Sequence, residues 1–89
     1  MSRVHVHFWA GARAAAGTAT ETVEASTVRD ALAEVAATRG EHFRRVLAAS
    51  SVLVDGTAAH DAELDRPLSG PARVEVLPPF AGGADGGAG

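Results

Sequence analysis

The 89-residue chain contains no cysteine, lysine, asparagine, glutamine, isoleucine or tyrosine. Without cysteine there is no disulfide framework, zinc–thiolate site, iron–sulfur cluster or nucleophilic thiol. Positive charge is scarce as well: eight basic residues stand against eleven acidic ones, a net charge of −3. That balance argues against general nucleic-acid binding, which depends on neutralising phosphates. No apolar run approaches the roughly 20 residues of a membrane-spanning helix, and the N-terminus lacks the apolar region of a signal peptide. A soluble cytoplasmic protein is the expectation. The missing lysine, beside abundant Ala, Gly and Arg, fits the codon bias of a GC-rich genome.

What is present is enough for one folded domain with a thin, alanine-padded core. Val, Leu and Phe total 19 residues and are periodic. The stretch Arg3–Ala10, RVHVHFWA, alternates: Val4, Val6 and Phe8 fall on one face, Arg3, His5, His7 and Trp9 on the other. Period two predicts a half-buried strand. Gly11–Thr18, bounded by glycines, reads as a loop, and the Thr/Val-rich Ala19–Ala25 as a second strand in a hairpin with the first. In STVRDALAEVAATRG, Thr27 is a predicted N-cap with Asp30 three residues on. Val28, Ala31, Leu32, Val35 and Ala36 then trace one buried helix face, and Gly40 suits the left-handed position that ends helices. EHFRRVLAA adds a short helical turn. Ser51–Gly56 reads as a strand ending in an Asp-Gly turn, Thr57–Ala72 as a long loop with a short edge strand, and Arg73–Pro79 as the last strand.

A hairpin, one helix and a return to the sheet predict an α+β layer pair. The expected fold is β-grasp: one mixed four- or five-stranded sheet with one main helix across it, the last strand lying parallel beside the first. Residues 1–80 form the domain, and residues 81–89 a flexible Gly/Ala-rich tail.

Recognisable catalytic constellations are absent. Ser50 and Ser51 sit in no nucleophile elbow, and the Gly-rich tail has neither the lysine nor the following helix of a phosphate loop. His5 and His7 share a strand face but have no third ligand, so no metal site is expected; exposed strand residues are the simpler reading. Trp9 is more informative. By parity it points away from the core, and Leu77 occupies the same outward side of the last strand. If those strands are neighbours, the two form an exposed apolar patch suited to a partner protein; the alternative is that the Gly11–Thr18 loop folds over Trp9. The chain closes in LPPFAGGADGGAG. Pro78-Pro79 stiffens the exit, and glycines without Cβ atoms can thread a channel closed to other residues. A C-terminal glycine carboxylate is also a chemical handle, open to activation as an acyl adenylate and capture by a sulfur nucleophile.

The segments FWAGARAAAGT, STVRDALAEV, LVDGTAA, DRPLSG and VEVLPPFAGG, in that order, resemble the MoaD/ThiS family of sulfur-carrier proteins from Val4 to Gly83. The likeness is greatest to the small subunit of molybdopterin synthase. It implies a non-catalytic carrier for molybdenum cofactor synthesis that binds no cofactor of its own. An adenylating enzyme, using ATP and magnesium, would activate the glycine carboxylate at Gly83, with Gly82 as its slim neighbour. Sulfur transfer would give a thiocarboxylate, and the large synthase subunit would receive the tail. Trp9, Leu77 and Phe80 are the expected partner-binding residues.

In these carriers a double glycine ends the chain, whereas here Ala84–Gly89 follows. Three arrangements are open: a protease trims after Gly83, Gly89 is activated as an alternative terminus, or the chain has diverged from sulfur chemistry. Delivery of sulfur to another pathway, such as cysteine or a secondary metabolite, and a β-grasp interaction module without thiocarboxylate chemistry are the competing functions.

Overall fold

A computed structural model describes residues 1–79. The expected partner residue Phe80, the expected reactive Gly83 and its neighbour Gly82, the alternative terminus Gly89 and the boundary of the expected 81–89 tail all lie outside the described residues. In chain order the elements are β1 (Ser2–Phe8), α1 (Ala10–Ala16), β2 (Thr20–Ala25), α2 (Val28–Ala37), α3 (Glu41–Ala49), β3 (Ser51–Val54), β4 (Thr57–Ala58), α4 (Asp61–Leu64) and β5 (Ala72–Leu77). The sheet has five strands in the order β2-β1-β5-β3-β4. β1 pairs antiparallel with β2 and parallel with β5, and β3 pairs antiparallel with both β5 and β4. This is the mixed β-grasp sheet, with the parallel β1–β5 pair at its centre.

The core forms where period-two strands meet period-3.6 helices. Val4, Val6 and Phe8 of β1 and Val74 and Val76 of β5 share one sheet face and are buried. Against them pack Val28, Ala31, Leu32 and Val35 of α2, the face expected from spacing. Thr27 caps that helix, its hydroxyl accepting from the Asp30 N–H at 3.0 Å. The Asp-Gly turn of the β3–β4 hairpin has positive φ at both central residues, 50° at Asp55 and 86° at Gly56, which glycine tolerates at the second position without strain. No helix among the described residues is long and apolar enough to cross a membrane.

Four local expectations are corrected. Gly11–Thr18 is mostly helix, not loop: α1 carries five alanines in seven residues and runs to Gly17, which closes it at φ 80°. Alanine propensity outweighs Gly11, and burial of Ala12 anchors the turn. Gly40 does not end α2, which stops at Thr38; it has φ −84° and is the residue before α3. The expected short turn is the nine-residue α3, held by burial of Phe43. The Thr57–Ala72 segment contains the two-residue β4 but also the four-residue α4. The Glu63 carboxylate accepts from the His60 N–H at 2.7 Å at the start of α4, which holds the Glu63 carboxyl below its ordinary pKa.

Phe8 and Phe43 meet edge to face, ring centroids 5.7 Å apart at 84°. Arg39 covers both, its guanidinium carbon 5.7 Å from the Phe8 centroid and 5.4 Å from that of Phe43. The same guanidinium lies 2.6 Å from Glu21 Oε1 and donates to the Val35 and Ala16 carbonyls at 2.8 and 3.3 Å. One side chain therefore ties β2, α1 and the end of α2 over the aromatic pair. Glu21 Oε1 has no aligned hydrogen-bond donor, so its contact with Arg39 is ionic.

Candidate functional site

The face of the sheet away from the helices is set by strand register. His7 stands opposite Glu75, Glu75 opposite Leu53, and Leu77 opposite Ser51. All are on the outward parity, because their neighbours Val6, Phe8, Val74 and Val76 point into the core.

Trp9 extends this face beyond the end of β1. Its backbone N–H donates to the Val76 carbonyl at 3.1 Å, continuing the parallel ladder by one bond. Its carbonyl accepts from the Ala12 N–H at 2.9 Å, so the same residue begins α1. Ala10, at φ 47°, turns the chain between these two roles. That left-handed backbone sends α1 back over the core edge and leaves the indole on the outside, 48% exposed. Among the described residues, Trp9 is the only large hydrophobic residue exposed to this extent apart from Met1. α1 does not fold over it. Leu77 and Leu53 are half-buried on the same face.

The sequence expectation placed Trp9 and Leu77 together if β1 and β5 were neighbours, and they are. It did not single out Glu75. The indole Nε1–H donates to Glu75 Oε1 at 3.2 Å, and Arg73 Nε is 3.8 Å from Glu75 Oε2. The Glu75 side chain is only 18% exposed, unusual for a carboxylate on an outward strand position. The signal was the alternation Arg73–Glu75–Leu77, which fixes the side of the sheet but not the partner of each residue.

Leu77 leads directly into Pro78-Pro79, so the chain leaves the domain at the same end of the sheet as Trp9. Pro78 Cγ lies 3.9 Å from where a Cβ on Gly11 would stand, against the first turn of α1. Beyond it lie Phe80, Gly82, Gly83 and Gly89, outside the described residues.

Other surfaces carry less chemistry. His5 Nδ1 is 3.2 Å from Thr22 Oγ1, and His7 faces Glu75, without a third ligand for either; no cluster of three metal-capable side chains occurs among the described residues. His42 and His60 are exposed. A cleft of about 470 Å³ lies at the opposite end of β5, lined by Asp55, Thr57, Glu63, Arg66 and Ser69 among others. It holds no buried polar or charged side chain. Arg29 forms exposed ion pairs with Asp61 and Asp65 that tether α4 to α2.

The profile of the ThiS family matches residues 6–83. No curated protein matches the chain at a significant level. Among solved structures, a Pyrococcus furiosus protein described as a candidate molybdopterin converting factor subunit 1 has a TM-score of 0.73 and 25% identity, covering 90% of this chain and 100% of its own. The small archaeal modifier protein 1 of Methanosarcina acetivorans has a TM-score of 0.77 and 23% identity, covering 92% and 97%. In a Helicobacter pylori complex of subunits 1 and 2 of molybdopterin-converting factor, a chain 18% identical has a TM-score of 0.67, covering 90% and 97%. The last two, at that identity, speak to the fold alone.

Proposed function

The chain belongs to the ThiS family of sulfur carriers, and from that premise we propose that it carries sulfur as a thiocarboxylate on Gly83 for molybdopterin synthesis, after removal of Ala84–Gly89. The observation that carries the reading is the extent of the family match, which runs from Val6 in β1 through the rest of the β-grasp domain and reaches Gly82-Gly83. The domain supplies no acid, base or nucleophile of its own to this chemistry; it supplies a carboxylate and a surface.

The proposed sequence of steps follows from that division. The Gly83 carboxylate oxygen attacks the α-phosphorus of ATP, held with magnesium by an adenylating enzyme, and pyrophosphate leaves. A sulfide-level nucleophile such as hydrosulfide then attacks the acyl carbon, AMP leaves, and a thiocarboxylate remains with no change of oxidation state. Glycines at 82 and 83 let the chain pass through narrow channels to reach each active site. The large synthase subunit is the proposed acceptor partner, docking through Trp9, Leu77 and Phe80. Two features support this: an exposed aromatic beside a half-buried leucine on one face, and a chain exit at the same end.

The test is the intact mass of the protein recovered from its own cells. Loss of Ala84–Gly89 with an oxygen-to-sulfur mass change is expected. An unmodified full-length terminus, in cells that are making the cofactor, would overturn the assignment and favour a β-grasp interaction module. A thiocarboxylate in cells without molybdopterin synthesis would instead point to another sulfur acceptor.

A further inference from the structure

We propose that Glu75 is the positioning residue of the docking face, fixing the Trp9 indole in the pose that a partner meets. The role given to Trp9 rests on the docking surface proposed above; the part played by Glu75 in the free protein does not.

The Trp9 backbone is already held on both sides. Its N–H is bonded to β5 through Val76, and its carbonyl is bonded to α1 through Ala12. The remaining freedom is in two side-chain torsions. An indole has a single polar atom, a donor, and that donor meets Glu75 Oε1 at 3.2 Å. The bond draws the ring back along the outer face of β5 to Glu75, the position opposite His7, rather than leaving it free in solvent.

Glu75 is itself fixed. It lies on the central strand β5, between His7 of β1 and Leu53 of β3. Its second oxygen is 3.8 Å from Arg73 Nε, and the Arg73 backbone N–H donates to Asp55 Oδ1 at 3.0 Å. The carboxylate therefore has a place in the sheet that does not depend on Trp9, as an anchor must. An aromatic hot spot held in its bound rotamer before association avoids part of the ordering cost of binding. Immobilising one such side chain in advance corresponds to an affinity gain of about two- to tenfold.

Three variants test this. Glu75→Gln keeps an acceptor of the same reach. Glu75→Leu removes it, and Glu75→Thr removes it with a short β-branched side chain suited to a strand, which guards against misfolding of the leucine variant. Trp9 is the only tryptophan and there is no tyrosine, so time-resolved fluorescence anisotropy reports this indole alone. In the free protein, wild type and Glu75→Gln are expected to show only tumbling of the domain, and Glu75→Leu and Glu75→Thr an added fast local motion. Binding of the last two to the large synthase subunit is expected to weaken by about two- to tenfold, with Glu75→Gln restoring wild-type affinity. Unchanged anisotropy in a folded Glu75→Leu or Glu75→Thr protein would overturn the proposal, as would unchanged affinity. Failure of the wild-type protein to bind the large subunit would sink the docking reading instead, while the anisotropy would still decide whether Glu75 holds Trp9.

Discussion

Replacing Arg39 by alanine should cost this small domain a large share of its stability. The Arg39 side chain is 16% exposed and its partner Glu21 32% exposed, so solvent screens this pair less than the outlying ones. Alanine removes two cation–π contacts of about 0.5–1 kcal/mol each. It also removes the bonds to the Val35 and Ala16 carbonyls, about 1 kcal/mol each. Glu21 is left on the core side of β2 without its counter-charge, a penalty of about 1–3 kcal/mol. One guanidinium makes all these contacts, so they do not add fully; a net loss of about 3 kcal/mol is expected. That would lower the melting temperature by about 10–25 °C for a domain of this size. Urea unfolding followed by circular dichroism measures it. Arg39→Lys should fall between, because an ammonium lacks the planar fork. The double variant Arg39→Met, Glu21→Leu should recover most of the loss, since no lone charge remains. A cost below about 1 kcal/mol for Arg39→Ala would refute the reasoning and place the pair with ordinary surface ion pairs.

Trp9→Ala should weaken binding of the large synthase subunit by about 2 kcal/mol or more, and by more than it lowers folding stability; equal affinity in a titration would remove Trp9 from the interface. In a version ending at Gly83, Gly83→Ala should slow adenylation at least about tenfold through misplacement of the reacting carbon, read as pyrophosphate release; sulfur loading at the wild-type rate would refute the site. The Glu63 carboxyl has its pKa lowered, first by the His60 backbone N–H. Its contribution is therefore present above the ordinary carboxyl value and lost as pH falls through the lowered one. Glu63→Gln should then be less stable than wild type at neutral pH, with the gap closing as pH falls through that lowered value. A gap in thermal melts that stays constant across that range would show that ionisation of Glu63 is not what α4 uses.

Strands and the main helix were legible because their burial is one-sided. Val4, Val6 and Phe8 alternate with polar residues, and Val28, Ala31, Leu32 and Val35 recur at the helical period, so each pattern names its own buried face. The helix α1 was not, because AGARAAA has no apolar stripe: only Ala12 is buried, and an alanine gives no periodic signal. Gly40 misled for a related reason. Glycine serves either at the end of one helix or just before the next, and burial of Phe43, a tertiary event, decided it. At the candidate site, parity placed Trp9 and Leu77 on the outer face. The bond from Trp9 to Glu75 spans 66 residues of sequence and depends on the parallel β1–β5 register, which no local pattern carries.

That register also relates the docking face to the chain exit. β1 and β5 run in the same direction side by side, so Trp9, at the end of one, and Pro78-Pro79, at the end of the other, come out together. A partner seated on Trp9 and Leu77 therefore meets the root of the tail at the edge of its own footprint. From Pro79 to Gly83 is four residues, at most about 14 Å of chain, and to Gly89 ten residues, about 35 Å. A partner whose active site is matched to the first distance would find the carboxylate of Gly89 overshooting by up to about 20 Å. Removal of Ala84–Gly89 would then do more than expose a carboxylate. It would set the distance between the docking face and the reacting carbon, and an enzyme holding Trp9 should discriminate the trimmed chain from the full one by rate while binding both.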